Sequence, residues 1–373
     1  MKFGIFDHMD RSGPDIGRQY EERLKLIQLY EWAGFHAYHV AEHHSTPLGM
    51  APSPSVFLAA VAQRTRTLRF GPLVYTLNLY HPLRLIDEIC MLDQMSGGRL
   101  ELGVGRGVSP HETAYYGIDP KLGQERFEEM LQVLLKGLGN RRLTHKGKHF
   151  QFDDVPMELQ PAQAPHPPLW QASRSPESAH KLARQGCNVA LSLPTRDAGE
   201  FVARYRAAWA ALGRDPEFMP FVGTVRNFVV ADTDGEAISA AKRAFDVWYT
   251  SLCFLWRKHG IEPPRAVFPP EFEEAVEDGY IIAGSPSTVR DAMRKADRVS
   301  GINYSICRLA YGDLSFEEAG RSIELFAREV MPAFSRLPAN DEKPAMPFDI
   351  AGFPAAGAYA RADMATNRVV PSL

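Results

Sequence analysis

The sequence predicts an α/β chain folded as a (β/α)8 barrel. Short apolar runs alternate strictly with longer amphipathic stretches, and there are eight such pairs. Strict alternation demands a parallel sheet with helices outside it, and eight units close a barrel. A doubly wound open sheet usually needs fewer units, and the glycine-rich turn expected after its first strand is missing. With 373 residues, 45% of them hydrophobic, the chain can fill one large core.

The elements follow in order. A strand is expected over 2–7 and a helix over 16–34, with Leu24, Ile27 and Trp32 near helical spacing and Gly34 as its stop. The next pairs are strand 37–41 with helix 53–64, and strand 68–76 with a helix from Pro82 to Ser96. Strand 99–104 is followed by a helix near 125–137. Residues 140–167, rich in proline, read as a hairpin-like insertion. Then come strand 168–172 with helix 175–185, strand 188–193 with helix 197–212, and strand 223–231 with helix 235–259. Residues 263–284 read as irregular, giving insertions after strands four and seven. Ser285-Pro286-Ser287 caps a helix to about 299, before strand 303–309 and a final helix 316–330. The barrel domain is expected over 1–335. Residues 336–373 form an extended tail, free or laid along a partner subunit.

Charge argues for neither nucleic acid nor an anionic membrane: 42 Lys+Arg oppose 45 Asp+Glu. Cys90, Cys187, Cys253 and Cys307 are scattered without metal-ligand spacing and read as reduced, buried thiols. The N-terminus lacks a signal-peptide core and no apolar run is long enough to span a bilayer, so a cytoplasmic protein is expected.

In such a barrel the chemistry sits where strands end. The second strand ends in Glu42-His43-His44, which puts imidazoles at the mouth, where a base of near-neutral pKa is useful. After the fifth strand, Ser175 and Pro176 look like a helix start, with Ser173, Ser178, Arg174 and Arg106 able to add donors for an anion. Gly103, Gly105 and Gly107 allow either a ligand or a tight turn. No metal set forms: His36 and His39 point to opposite faces of a strand.

Together with Met1-Lys2-Phe3-Gly4, His81-Pro82-Leu83-Arg84, Leu92 through Arg99, Gly284-Ser285-Pro286 and Val330-Met331-Pro332, these residues resemble the bacterial-luciferase-like monooxygenases, especially the luciferase α-subunit. The resemblance implies a flavin-dependent monooxygenase. It would take reduced FMN from an NAD(P)H:flavin reductase and oxidise a small organic substrate through a flavin C4a-peroxide. Deazaflavin F420 with hydride transfer, or a non-catalytic partner subunit, are the alternatives. It further implies His43 as the catalytic base with His44 beside it, and a non-proline cis peptide at Leu73-Val74 under the flavin ring. Phe6 and Gly105 would contact the ring. Arg106, Arg126, Arg174, Ser175 and Ser178 would serve the phosphate, and a homodimer or homotetramer is expected. Gly105 stands where luciferase has a cysteine, and Leu193 where it has a tryptophan, which weakens any expectation of light emission. Phe254, Trp256 and Tyr280 are candidates for a different substrate pocket.

Overall fold

A computed structural model describes residues 1–13, 15–263 and 268–334. The expected tail lies outside the described residues. Eight parallel strands form the staves: β1 (Lys2–Asp7), β2 (Ala37–Val40), β3 (Arg69–Pro72) continued by β4 (Tyr75–Thr76), β5 (Leu102–Gly105), then, beyond the hairpin β6 (Arg142–Lys146) and β7 (Gln151–Pro156), β8 (Leu169–Ser173), β9 (Asn188–Leu191), β10 (Val222–Val230) and, after an extra strand β11 (Ile281–Gly284), β12 (Tyr304–Arg308). Their order is β3-β2-β1-β12-β10-β9-β8-β5-β4. A parallel bridge between Phe70 of β3 and Leu100, two residues before β5, brings the two ends of the sheet together. At this seam a side chain on Gly103 would fall on the carbonyl oxygen of Pro72, so only glycine lets the strands approach.

Helices cover the outside: α1 (Ile16–Ala33), α2 (Pro54–Arg64), α3 (Pro82–Ser96), α4 (Pro110–Tyr115), α5 (Gly123–Gly139), α6 (Ala179–Gln185), α7 (Thr195–Ala211), α8 (Asp234–Lys258), α9 (Phe272–Glu277), α10 (Pro286–Ser300) and α11 (Phe316–Leu325). Their ends obey local chemistry. Gly34 closes α1 in the left-handed conformation, and Thr233 with Glu236 makes a capping box on α8. The main core lies between helices and barrel, while Phe6, Ala41, Trp170, Tyr304 and Ile306 fill the barrel itself. All four cysteines are buried and free. No helix among the described residues is long and apolar enough to cross a membrane.

The structure departs from the sequence expectations in four places. Strand 68–76 is not continuous: a cis Leu73-Val74 peptide separates β3 from β4. The helix expected from Ser175 begins instead as a 3-10 turn, Pro176–Ser178, before α6. The stretch between β5 and α5 contains α4, which Ser109 caps by accepting from the Glu112 amide. The supposedly irregular 263–284 segment holds α9 and β11, and β11 pairs in parallel with the outer half of β10. Its apolar residues were hidden by short length, and they pack a satellite core with Phe245, Trp248, Phe268, Phe272 and Tyr280.

Candidate active site

A cavity of about 630 Å³ opens at the C-terminal ends of the barrel strands. That size suits a cofactor-sized ligand. Its walls divide by chemistry. Phe6, Ala41, Leu73, Val74 and Val104 make an apolar slot. Arg106, Arg174, Lys181, Ser173, Ser175 and Ser178 bring cations and hydroxyls from the ends of β5 and β8 and from α6. His43 and Glu112 lie together on the wall.

His43 follows β2, and its Nδ1 lies 3.1 Å from Glu112 Oε1. The other carboxylate oxygen accepts the His44 amide at 2.9 Å. Burial pushes the Glu112 carboxyl up, but His43 and the His44 amide outweigh it and hold the group below the usual glutamate range. An ionised Glu112 is acceptor-only, so His43 donates to it from Nδ1–H, and Nε2 is the nitrogen without that partner. Sequence reasoning missed Glu112. The Ser109-x-x-Glu112 spacing of a helix start was the available signal.

His44 does not line the cavity. Its Nε2 meets Glu42 Oε1 at 2.8 Å and its Nδ1 meets the Tyr116 hydroxyl at 2.7 Å. Glu42 in turn accepts the Thr76 amide at 2.8 Å. With both nitrogens engaged, His44 braces the loop that carries His43 and has no nitrogen left for a substrate. The catalytic expectation for His44 is therefore not met by the geometry.

The expected anion donors divide. Ser173 Oγ lies 2.7 Å from Ser178 Oγ, and Ser178 Oγ donates to the Ser175 carbonyl at 2.8 Å. Ser175 does not cap a helix with its side chain; its hydroxyl donates to Glu177. Arg106 has no carboxylate partner among the described residues, while Lys181, which sequence reasoning missed, pairs with Glu128 at 2.9 Å. Arg126 is not brought to the cavity: its guanidinium lies 4.7 Å from the Phe150 ring centre. The glycines serve the protein's own packing, since a Cβ on Gly105 would approach Val74 Cγ2 to 2.5 Å. Of the aromatic candidates Trp256 lines the cavity, whereas Tyr280 is buried in the satellite core and Phe254 is partly exposed. Leu193 is buried and also off the wall.

The comparisons with known proteins point to one family. The model of the luciferase-like monooxygenase family matches residues 1–301. The chain is 42% identical over 318 residues to the protein y4wF of Sinorhizobium fredii, covering 85% of this chain and 92% of that one. It is 31% identical over 356 residues to the oxygenase component of a flavin-dependent trigonelline monooxygenase of Acinetobacter baylyi, covering 90% and 96%. Among solved structures, the monooxygenase RslO1 of Streptomyces bottropensis superposes with a TM-score of 0.81 at 28% identity, covering 90% of this chain and all of that one.

Proposed function

The chain belongs to the luciferase-like monooxygenase family, and from that premise we propose that it is the oxygenase half of a two-component system. It takes reduced FMN from a separate NAD(P)H:flavin reductase and uses dioxygen to oxidise a small organic substrate, with His43 as the base. The observation that carries this reading is one cavity holding an apolar slot, a hydroxyl-and-cation wall and the His43–Glu112 pair. The donor set fits a phosphate-bearing flavin. Arg106, Arg174, Lys181, Ser175 and Ser178 would hold the phosphate, and Phe6, Leu73, Val74 and Gly105 would flank the ring. When bound, reduced FMN supplies the electron pair that activates dioxygen. The protein's part is to exclude water, orient the substrate and move a proton at His43 Nε2, with Glu112 stabilising the imidazolium that results. An assembly of two or four copies in the cytoplasm belongs to the same proposal.

Titration of the purified protein with reduced FMN and with reduced F420, while following oxygen, tests it. Reduced FMN should bind and oxygen should be consumed. Tight binding of reduced F420 without oxygen uptake would overturn the reading in favour of hydride transfer.

A further inference from the structure

Opposite the hydroxyl-and-cation wall, the adjacent strands β1, β12 and β10 present a second polar wall that the proposed chemistry does not use. Side chains on a strand alternate faces, so Val225 and Asn227 rise in register with Ile306 and Arg308, and Phe6 and His8 continue the same face of β1 two residues further toward the mouth. Asn227 and Arg308 are direct cross-strand partners. Both are deeply buried, at 1% and 4% exposure, and both line the cavity with His8.

What distinguishes this wall is that donor-only partners fix its polarity. Arg308 Nη1 donates to Asn227 Oδ1 at 2.6 Å. A guanidinium cannot accept, so the amide must present its NH2 elsewhere, and Asn227 Nδ2 has no partner among the described residues. Likewise Trp248 Nε1 donates to His8 Nδ1 at 2.9 Å, which puts the His8 proton on Nε2. Burial first, then Arg308, His43 and Arg174, hold the His8 pKa well below 6.5, so the ring stays neutral and remains a donor at Nε2.

Arg308 itself is a buried cation without an ion pair among the described residues. Its guanidinium lies between two rings, 5.1 Å from the centre of Phe6 and 4.8 Å from that of Trp248, and its Nε is unpartnered. The rings offset part of its desolvation. Asp7 pairs with Arg23 at 3.3 Å, and Asp10 accepts the Gly312 amide at 2.7 Å through one oxygen; both carboxylates attract Arg308, but neither makes an ion pair with it. A buried, unpaired charge facing an open cavity is costly unless a ligand completes it.

We propose that Arg308, Asn227 and His8 form the subsite for a carboxylate group of the organic substrate. A carboxylate is acceptor-only and planar, and it would satisfy the Asn227 amide and the His8 Nε2 proton while giving the Arg308 guanidinium the ion pair it does not make within the protein. A neutral amide of the same shape brings its own donors against a wall of donors and is disfavoured. The inference rests on the oxygenase reading for its role, but its test is binding alone.

The experiment measures binding of acetate, hexanoate and benzoate, each against its primary amide, by calorimetry on the flavin-free protein. FMN affinity is read separately by fluorescence quenching. The best-bound carboxylate should bind at least about tenfold tighter than its amide. Asn227→Asp is isosteric and turns the wall's donor into a counter-charge for Arg308. It should remove that preference and leave FMN affinity unchanged, as should Arg308→Gln. If Arg308→Gln does not fold, Asn227→Asp decides alone. Equal binding of acid and amide, no binding of either, or a preference that survives Asn227→Asp overturns the subsite. So does a loss of FMN affinity with carboxylate binding intact, which would give the wall to the flavin. Carboxylate preference without FMN binding to the wild type would leave the subsite standing and remove the flavin reading instead.

Discussion

Two histidines four residues apart show how differently the barrel treats its interior and its mouth. His39, inside β2, is fully buried against Trp170, and neither ring nitrogen has a partner among the described residues. Burial, with His36 and Arg69 adding to it, pulls its pKa down to about 3. His43, past the end of the same strand, is held by a carboxylate 69 residues away in sequence and lines the cavity. The interior suppresses the charged form of an imidazole by desolvation, whereas the mouth supplies a hydrogen-bonding partner and an open face. Residue type alone does not make an imidazole available to a ligand; position along the strand does.

That contrast can be broken most directly at His43. His43→Ala should lower kcat by about 100- to 10,000-fold, the usual contribution of a positioned base, with the melting temperature and FMN affinity unchanged. Turnover equal to wild type would remove His43 from the chemistry. Arg106→Ala should weaken FMN binding by about ten- to hundredfold, the loss of one hydrogen bond to a charged group, and should weaken riboflavin far less. Equal losses for both ligands would take Arg106 away from the phosphate.

Glu112→Gln should lower turnover by about tenfold while flavin still binds, because the amide no longer fixes the His43 tautomer or balances its charge. The same substitution has a stability signature. The folded-state pKa of Glu112 is depressed, so its contribution is present above the ordinary glutamate value of 4.5 and is lost as pH falls through the folded value. The gap in melting temperature between wild type and Glu112→Gln should therefore close in acid. A gap independent of pH would mean that the carboxylate is not the stabilising species.

The smallest effect is expected in the interior, and it should appear in stability and not in turnover. Unfolding releases His39 to its ordinary value of 6.5 from about 3, so the folded state loses stability as pH falls below 6.5. At pH 5 this amounts to about 2 kcal/mol. His39→Leu should flatten the fall of melting temperature between pH 7 and pH 5 and leave kcat unaltered. Lost turnover in this variant would show that the two regions are coupled.

Periodicity, caps and motifs were enough to place the staves, their helices and the end of the barrel that carries the cavity. β1 occupies residues 2–7 as expected, Gly34 stops α1 as its chemistry implied, and Ser285 stands at the start of α10, although its side chain does not cap it. The eight units close as expected, and Leu73-Val74 is the cis peptide that the resemblance implied. These features are local, because periodicity, caps and motifs are written within windows of a few residues. Short or interrupted elements escaped: α9 and β11 are too brief for a period to register, and α4 lay in a segment without a repeat. Which groups meet is set by the closed barrel. Closure of the barrel brings Glu112 to His43, Arg308 to Asn227 across 81 residues, and Trp248 to His8 across 240. It also occupies both nitrogens of His44 and leaves Arg126 off the wall. Such pairings depend on strand order and stagger, which no local window contains, and they set the tautomers and charges of the cavity.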